Sequence, residues 1–171
     1  LDSLAIADVE YYSFDGKLHR GQIVMHKTLK EDVIHLFRFM RNQRFPIESA
    51  IPIRFDKPND GTSMDTLNNS YSFHYRRIST SGNGSRSVHS YGMAIDINPY
   101  NNPAVLANGK AIPQGGTYDR DIPGTRADTS PVVKEFIRLG WTWGGNWTSL
   151  KDYMHFEKKH RKLSMHIQTH H

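Results

Sequence analysis

An α+β fold is what the order of elements in this 171-residue sequence agrees with. Two observations carry it. Short runs of alternating or β-rich residues stand at several places along the chain, and two separate segments repeat their apolar residues at helical spacing between capping signals. The alternation is briefest where it is most informative, in Ala94-Ile95-Asp96-Ile97 and in His155-Phe156-Glu157.

In chain order, Val9 to Phe14 and Gly21 to Met25 read as a hairpin-like opening around a turn at Asp15-Gly16. Thr28, with Glu31 three residues on, predicts a capping box. Leu29, Val33, Leu36, Phe37 and Met40 then follow at helical spacing. Arg41 and Arg44 suit the C-terminal end of the helix dipole, and Pro46 prevents continuation. His35 on this helix reads as a partly exposed surface residue. Ile51 to Phe55 reads as a short edge strand, the sheet position where a proline such as Pro52 is tolerated. Asn59-Asp60-Gly61 punctuates a turn-rich stretch from Asp56 to Ser70. Tyr71 to Ile78 alternates aromatic and polar residues and predicts a strand, and Ser79 to Ser87 predicts a loop. The Gly82-x-Gly84 within it lacks the flanking elements and the lysine of a phosphate loop.

The polar segment from Tyr100 to Thr129 is long for a compact domain, and segments of that kind are usually functional or mobile. It is expected to border a substrate groove. A second helix is expected from Ser130 as N-cap and Pro131 in the first turn, with Val132, Val133, Phe136 and Ile137 inward and Gly140 as terminator. The tail from Lys158 to His171 is basic and His-rich; its His166, His170 and His171 read as a frayed terminus. No internal repeat is apparent, and residues 1–171 are expected to form one domain.

Composition narrows the classes. Apolar residues make up 37%, aromatic 11% and charged 23%, an ordinary globular balance with no run of membrane-spanning length. The chain begins at Leu1 without Met, which reads as a mature protein or one whose leader has been removed. A net charge of +5 and a pI near 9.5 permit attraction to a polyanion such as an anionic cell wall. No nucleic-acid recognition motif is visible, so nucleic acid is not an expected partner.

The chemistry gathers in two short blocks. His89 offers an imidazole and Asp96 a carboxylate, with Gly92 bending the chain between them. As a strand, Ala94 to Ile97 sends Ile95 and Ile97 to one face and Asp96 to the other; His155 and Glu157 likewise share a face opposite Phe156. Two imidazoles and one carboxylate make three metal ligands, which for zinc leaves a fourth position open, as in catalytic sites. The chain has no Cys, so a closed thiolate site is excluded. Zinc suits the set best; Mn or Co would fit the same ligands.

Ser87-x-His89-x-x-Gly92-x-Ala94-x-Asp96, followed at a distance by His155-x-Glu157, resembles the zinc D-Ala-D-Ala carboxypeptidase/VanY-like family of peptidoglycan peptidases. Every fixed position of that pattern is filled. The likeness runs from about Phe73 to Glu157 and, more weakly, includes Arg44 to Ile47. The block Trp141 to Trp147, then Asp152-x-x-His155-Phe156-Glu157, is most similar to the L-alanyl-D-glutamate endopeptidase branch of endolysins and autolysins. That branch carries Asp three residues before the last His, where the carboxypeptidase and dipeptidase branches usually carry Glu.

The resemblance implies a single α+β domain whose small antiparallel sheet carries His89, Asp96 and His155, with helices packed on the other face. It implies one Zn2+ and hydrolysis of peptidoglycan stem peptides, at the L-alanyl-D-glutamate bond first. Asp152 is the expected general base and proton carrier. Arg76 stands where the family carries an arginine, to hold an oxyanion or a substrate carboxylate, with the adjacent Arg77 as its rival. Glu157 is expected to accept a hydrogen bond from a ligand imidazole. Ser87 is expected to touch substrate or orient a ligand. Among the tryptophans, Trp143 is expected inward and Trp147 near the site. Two alternatives stay open: a D-Ala-D-Ala carboxypeptidase, and a non-catalytic zinc-containing wall-binding module. A serine or cysteine peptidase is disfavoured by the absence of Cys and of a Gly-x-Ser-x-Gly elbow. The chain is expected to act as a monomer outside the cytoplasm, in the periplasm or cell wall or as a secreted protein.

Overall fold

The computed structural model describes residues 2–53, 68–76, 78 and 84–159. The opening hairpin reaches well beyond its sequence signal at its open end, while its first strand stops at Tyr12, two residues short of the expected Phe14. Strands β1 (Leu4–Tyr12) and β2 (Leu18–His26) pair antiparallel from Leu4↔His26 to Tyr12↔Leu18. Gly16, at φ 77°, takes the turn conformation that only glycine adopts without strain. Ala7, Val9 and Tyr11 of β1 and Ile23 and Met25 of β2 are buried. They form one face of the hairpin, which helix α1 (Lys30–Asn42) covers with Val33, Leu36, Phe37 and Met40.

The start of α1 departs from the capping-box expectation. A 3₁₀ turn, Lys27–Leu29, precedes the helix, and the cap is His26: its Nδ1 accepts from the Thr28 N–H at 3.3 Å and lies 2.8 Å from the Thr28 hydroxyl. Thr28 lies inside this 3₁₀ turn, and the position that caps α1 is Leu29, whose apolar side chain makes no cap bond. The C-terminus ends in a Schellman motif, with Phe45 N–H donating to the Met40 carbonyl and Arg44 N–H to that of Arg41. Arg44 occupies the left-handed position at φ 54°, where a glycine is usual.

Helix α2 (Pro131–Arg138) buries Val132, Val133 and Phe136. Ser130 stands at its N-cap position but makes no side-chain cap bond. Ile137 was expected inward and is instead 47% exposed. Neighbouring helix positions lie about 100° apart, and the buried stripe of this short helix follows Phe136. Gly140 ends the helix at φ 91°, its N–H donating to Ile137 and that of Trp141 to Phe136. The Trp141 ring then meets Phe136 edge-on, which completes a second Schellman motif with its hydrophobic contact.

The expectation of one small sheet becomes three among the described residues. Beside the hairpin stand β3 (Ala94–Asp96), β8 (His155–Glu157) and β6 (Thr142–Trp143), in the order β3-β8-β6. A second trio, in the order β5-β4-β7, contains β4 (Ala104–Val105), β5 (Ala111–Ile112) and β7 (Lys151–Asp152). Both trios are antiparallel. In the first, Ile95 faces Phe156 and Trp143 faces Phe156, and all three enter the core. Phe156 stacks on Phe136 of α2 at 3.8 Å, so the helices lie behind this sheet. Burying a phenylalanine of this kind contributes roughly 1.5–3 kcal/mol. The opposite face is left to Asp96 and His155, which are direct cross-strand partners.

Two expected strands are not seen among the described residues. Ile51–Ile53 carry no ladder, and the rest of that stretch lies outside the described residues, as do the turn at Asn59-Asp60-Gly61 and most of the 79–87 loop. Tyr71 makes only an isolated bridge to Asp96, after which the strap 72–76 is tied by scattered backbone bonds such as His74 N–H to the His89 carbonyl. At its far end the strap pairs with the segment before the site, Ile78 N–H donating to the Ser85 carbonyl and Ser87 N–H to that of Arg76. The tail histidines also lie outside the described residues. Among those described, no helix is long and apolar enough to cross a membrane.

Candidate active site

His89 is not on a strand, contrary to expectation. It sits on a 3₁₀ turn, Val88–Tyr91, whose N-cap is Ser87: the Ser87 hydroxyl accepts from the His89 N–H at 3.3 Å. Gly92 closes the turn at φ 66°. A Cβ there would lie 2.4 Å from the His26 nitrogen and 2.8 Å from the Met25 carbonyl carbon. Gly92 is what lets the 3₁₀ turn dock on the end of β2. Substituting Gly92→Ala adds left-handed strain to a backbone clash, and is expected to cost about 2–5 kcal/mol in a denaturant titration. An unchanged midpoint would mean that this contact does not hold the turn.

The buried His89 ring is oriented by its Nδ1, which donates to the Ser72 carbonyl at 2.7 Å. That bond makes Nε2 the lone-pair nitrogen of a neutral ring. Nε2 is enclosed, without a hydrogen-bond partner among the described residues, 3.2 Å from Asp96 Oδ1. His155 Nδ1 lies 3.2 Å from the same oxygen. The three ligand atoms fall within 4.8 Å of one another. For bonds of zinc length a tetrahedral edge is about 3.3 Å, so the set fits a divalent ion of that size. An acceptor nitrogen facing a carboxylate oxygen also needs positive charge between them.

The charges say the same. Burial alone would raise the Asp96 carboxyl, but His89 and His155 outweigh it and hold it well below the usual carboxylate range. Burial opposes charge on His155; the bond to Asp96 and the nearby Glu157 overcome this and raise it to about 10. The carboxylate at the centre calls for a cation, which a proton or a metal ion supplies.

All eight residues singled out in the sequence line one cleft of about 320 Å³. Asp152 enters it from β7, held close to the 3₁₀ turn Gly144–Asn146; a Cβ on Gly144 would lie 2.5 Å from the Asp152 carbonyl oxygen. Its Oδ1 is enclosed and lacks a hydrogen-bond partner among the described residues. Burial first, then the Asp96 charge, push the carboxyl up to about 7, against His155, Arg76 and Arg126. Glu157 stands 4.0 Å from His155 Nε2, an ion-pair distance longer than the expected hydrogen bond. Trp147 lies 5.2 Å from the His155 ring, while Trp143 is buried, its indole N–H donating to the Tyr153 carbonyl. Arg76 reaches the cleft with its backbone locked by Ser90, whose hydroxyl accepts from the Arg76 N–H and donates to its carbonyl. Its rival Arg77 lies outside the described residues. The far wall is apolar: Leu106 and Ile112 from the β4–β5 hairpin, with Leu150 beside them. Part of the 100–129 segment therefore does border the cleft.

Three residues near the site, Tyr71 and Arg126 buried and His74 half-buried, escaped sequence reading. Tyr71 tilts against His89 at 5.3 Å; burial raises its hydroxyl well above the usual value, and the hydroxyl has no hydrogen-bond partner among the described residues. Burial, then Arg76, lower His74 to about 4. Arg126 is wholly buried under the sheet. It arrives in a polar, turn-rich stretch, where no periodicity marks an inward residue.

The sequence profile of the D-alanyl-D-alanine carboxypeptidase family matches residues 80–158. The chain is also 36% identical over 80 residues to the peptidoglycan L-alanyl-D-glutamate endopeptidase CwlK of Bacillus subtilis (strain 168). That alignment covers 47% of this chain and 44% of the relative, so the chain spans less than half the length of the curated protein it matches. No solved structure matches the chain with significance. The family match contains both the block from Ser87 to Asp96 and the His155-x-Glu157 block. It is the segment 80–158, which carries all three candidate metal ligands, that is similar to the D-alanyl-D-alanine carboxypeptidase family.

Proposed function

We propose that this protein is a zinc-dependent peptidase that hydrolyses peptidoglycan stem peptides at the L-alanyl-D-glutamate bond, outside the cytoplasm. The observation that carries the reading is the convergence of His89 Nε2, Asp96 Oδ1 and His155 Nδ1 in one cleft with Asp152, whose Oδ1 has no hydrogen-bond partner among the described residues. His89, Asp96 and His155 would hold the ion. When bound, zinc supplies Lewis acidity, polarising the scissile carbonyl and lowering the pKa of the attacking water.

The chain's own residues do the rest. Asp152, close to neutrality in its ionisation, takes the proton from the attacking water and returns it to the leaving amine. Arg76 lies in the same cleft and offers a guanidinium to the developing oxyanion or to a substrate carboxylate. Glu157 holds the His155 ring through its outer nitrogen. The choice of bond rests on the Asp at three residues before His155 and on the similarity to an endopeptidase of that specificity.

The test is mass spectrometry of purified peptidoglycan fragments incubated with the protein, with and without a zinc chelator. Fragments with a freed D-glutamate amino terminus, absent with chelator, are the expected result. Loss of only a terminal D-alanine would move the assignment to a carboxypeptidase, and no chelator-sensitive cleavage would leave a zinc-bearing wall-binding module.

A further inference from the structure

Arg126 is fully enclosed, and its Nη2 donates to two carbonyls at once, Ile97 at 3.0 Å and Tyr153 at 2.7 Å. Ile97 directly follows Asp96 in the chain, and Tyr153 directly follows Asp152. The Arg126 Cζ lies 4.7 Å from the ring of Phe156, the residue after His155. On its other side the backbone is pinned: its N–H donates to Asn102 Oδ1 at 2.8 Å, and its carbonyl accepts from the Tyr118 hydroxyl. Asn102 in turn donates to the carbonyls of Ile97 and Asn98. Nε and Nη1 of Arg126 have no hydrogen-bond partner among the described residues.

A buried guanidinium is costly unless charge compensates it. The acidic groups whose fields act on it are Asp96 and Asp152. Burial, against those two carboxylates, lowers it to about 9, so it remains charged at neutral pH. The segments it joins have little else to align them. β3 has three residues and β7 two, and the two strands belong to different sheets. Two carboxylates on neighbouring segments also repel each other.

We propose that Arg126 is a positioning residue that sets Asp96 and Asp152 relative to one another, by bridging the carbonyls of the residues that follow them and by placing one buried positive charge behind both. The inference rests on the peptidase reading for the role of Asp152. Arg126 does not line the cleft, so its loss acts on metal holding and turnover and leaves substrate binding alone.

The experiment compares Arg126→Lys and Arg126→Met with the unsubstituted chain. Folding is checked by circular dichroism, zinc affinity by competition with a chromophoric chelator, and kcat and KM are measured separately on a stem peptide. Lys keeps the charge but loses the planar fork, and it is expected to fold, bind zinc about 10-fold more weakly and turn over about 10-fold more slowly, with KM unchanged. Met is expected to lose about 100-fold in each; should it not fold, the Lys variant decides alone. A folded variant with unaltered zinc affinity and kcat would overturn the proposal, as would a change confined to KM. An unsubstituted chain that binds zinc but cleaves nothing would remove the peptidase reading, and the zinc competition would then decide the role of Arg126 by itself.

Discussion

An Asp152→Asn chain will keep its zinc and lose about 10²- to 10⁴-fold in kcat on a stem peptide, the range a positioned general base contributes. It keeps the metal because the three converging ligand atoms belong to His89, Asp96 and His155. It loses turnover because an amide of the same shape cannot accept the proton of the attacking water. A carboxyl pushed up to about 7 by burial and by Asp96 is matched to proton transfer near neutrality, whereas an ordinary surface aspartate is not. The base must be deprotonated, so activity falls as pH falls through its pKa. A divalent ion nearby favours the anion and moves that limb lower. The unsubstituted enzyme should therefore show an acid limb at or below pH about 7, and the residual activity of Asp152→Asn should lack it. Metal content by elemental analysis and a pH–rate profile check both halves. Full turnover in the zinc-loaded Asn variant would remove the proton role from Asp152.

Asp96→Ala is expected to abolish zinc binding and activity together. Both imidazoles approach the one oxygen Oδ1 at 3.2 Å, so this substitution removes the centre of the cluster and leaves two buried rings facing an empty acceptor position. Breaking a buried charged group away from its partners typically costs about 3–5 kcal/mol, so the metal-free variant should also be less stable than the metal-free parent. The pH dependence of that difference has a definite sign. His155 is raised to about 10 in the folded chain, so its contribution is fully present below the unfolded value near 6.5 and is lost as pH rises through about 10. Asp96, held below its ordinary value, loses its contribution as pH falls below the unfolded carboxylate value near 3.8. The stability gap between parent and variant should thus be widest between that value and about 6.5, narrow in stronger acid, and close towards pH 10. Denaturant midpoints across that range, with zinc stoichiometry by titration, test it. Retention of one tightly bound zinc in Asp96→Ala would show that the ion is held elsewhere.

How much of this was legible in sequence follows from the range of the forces involved. The buried stripe of α1 was legible in full, because Val33, Leu36, Phe37 and Met40 face one way by helical geometry alone. The two-residue period likewise told that Asp96 and His155 would turn away from Ile95 and Phe156, and the structure adds that they are cross-strand partners. Caps were less legible. Thr28 matched a capping box, yet a 3₁₀ turn capped by His26 takes Thr28 into itself and moves the start of α1 past it, which no pattern signals.

By itself the sequence determined the residue types of the site and their order: two imidazoles and a carboxylate at metal-binding spacing, an aspartate three residues before the last histidine, and no thiol. These are chemical identities, and they need no neighbours to be read. The tertiary structure alone decided that His89 comes from a 3₁₀ turn docked on β2 through Gly92, that the strands divide into separate sheets, and that Arg126 lies buried behind the two aspartates. Each of those depends on contacts between residues tens of positions apart, whose energies arise from burial and charge at close range. A buried arginine has no periodic signature, since what draws it inward is a pair of carbonyls and two carboxylates that the chain brings together only when folded.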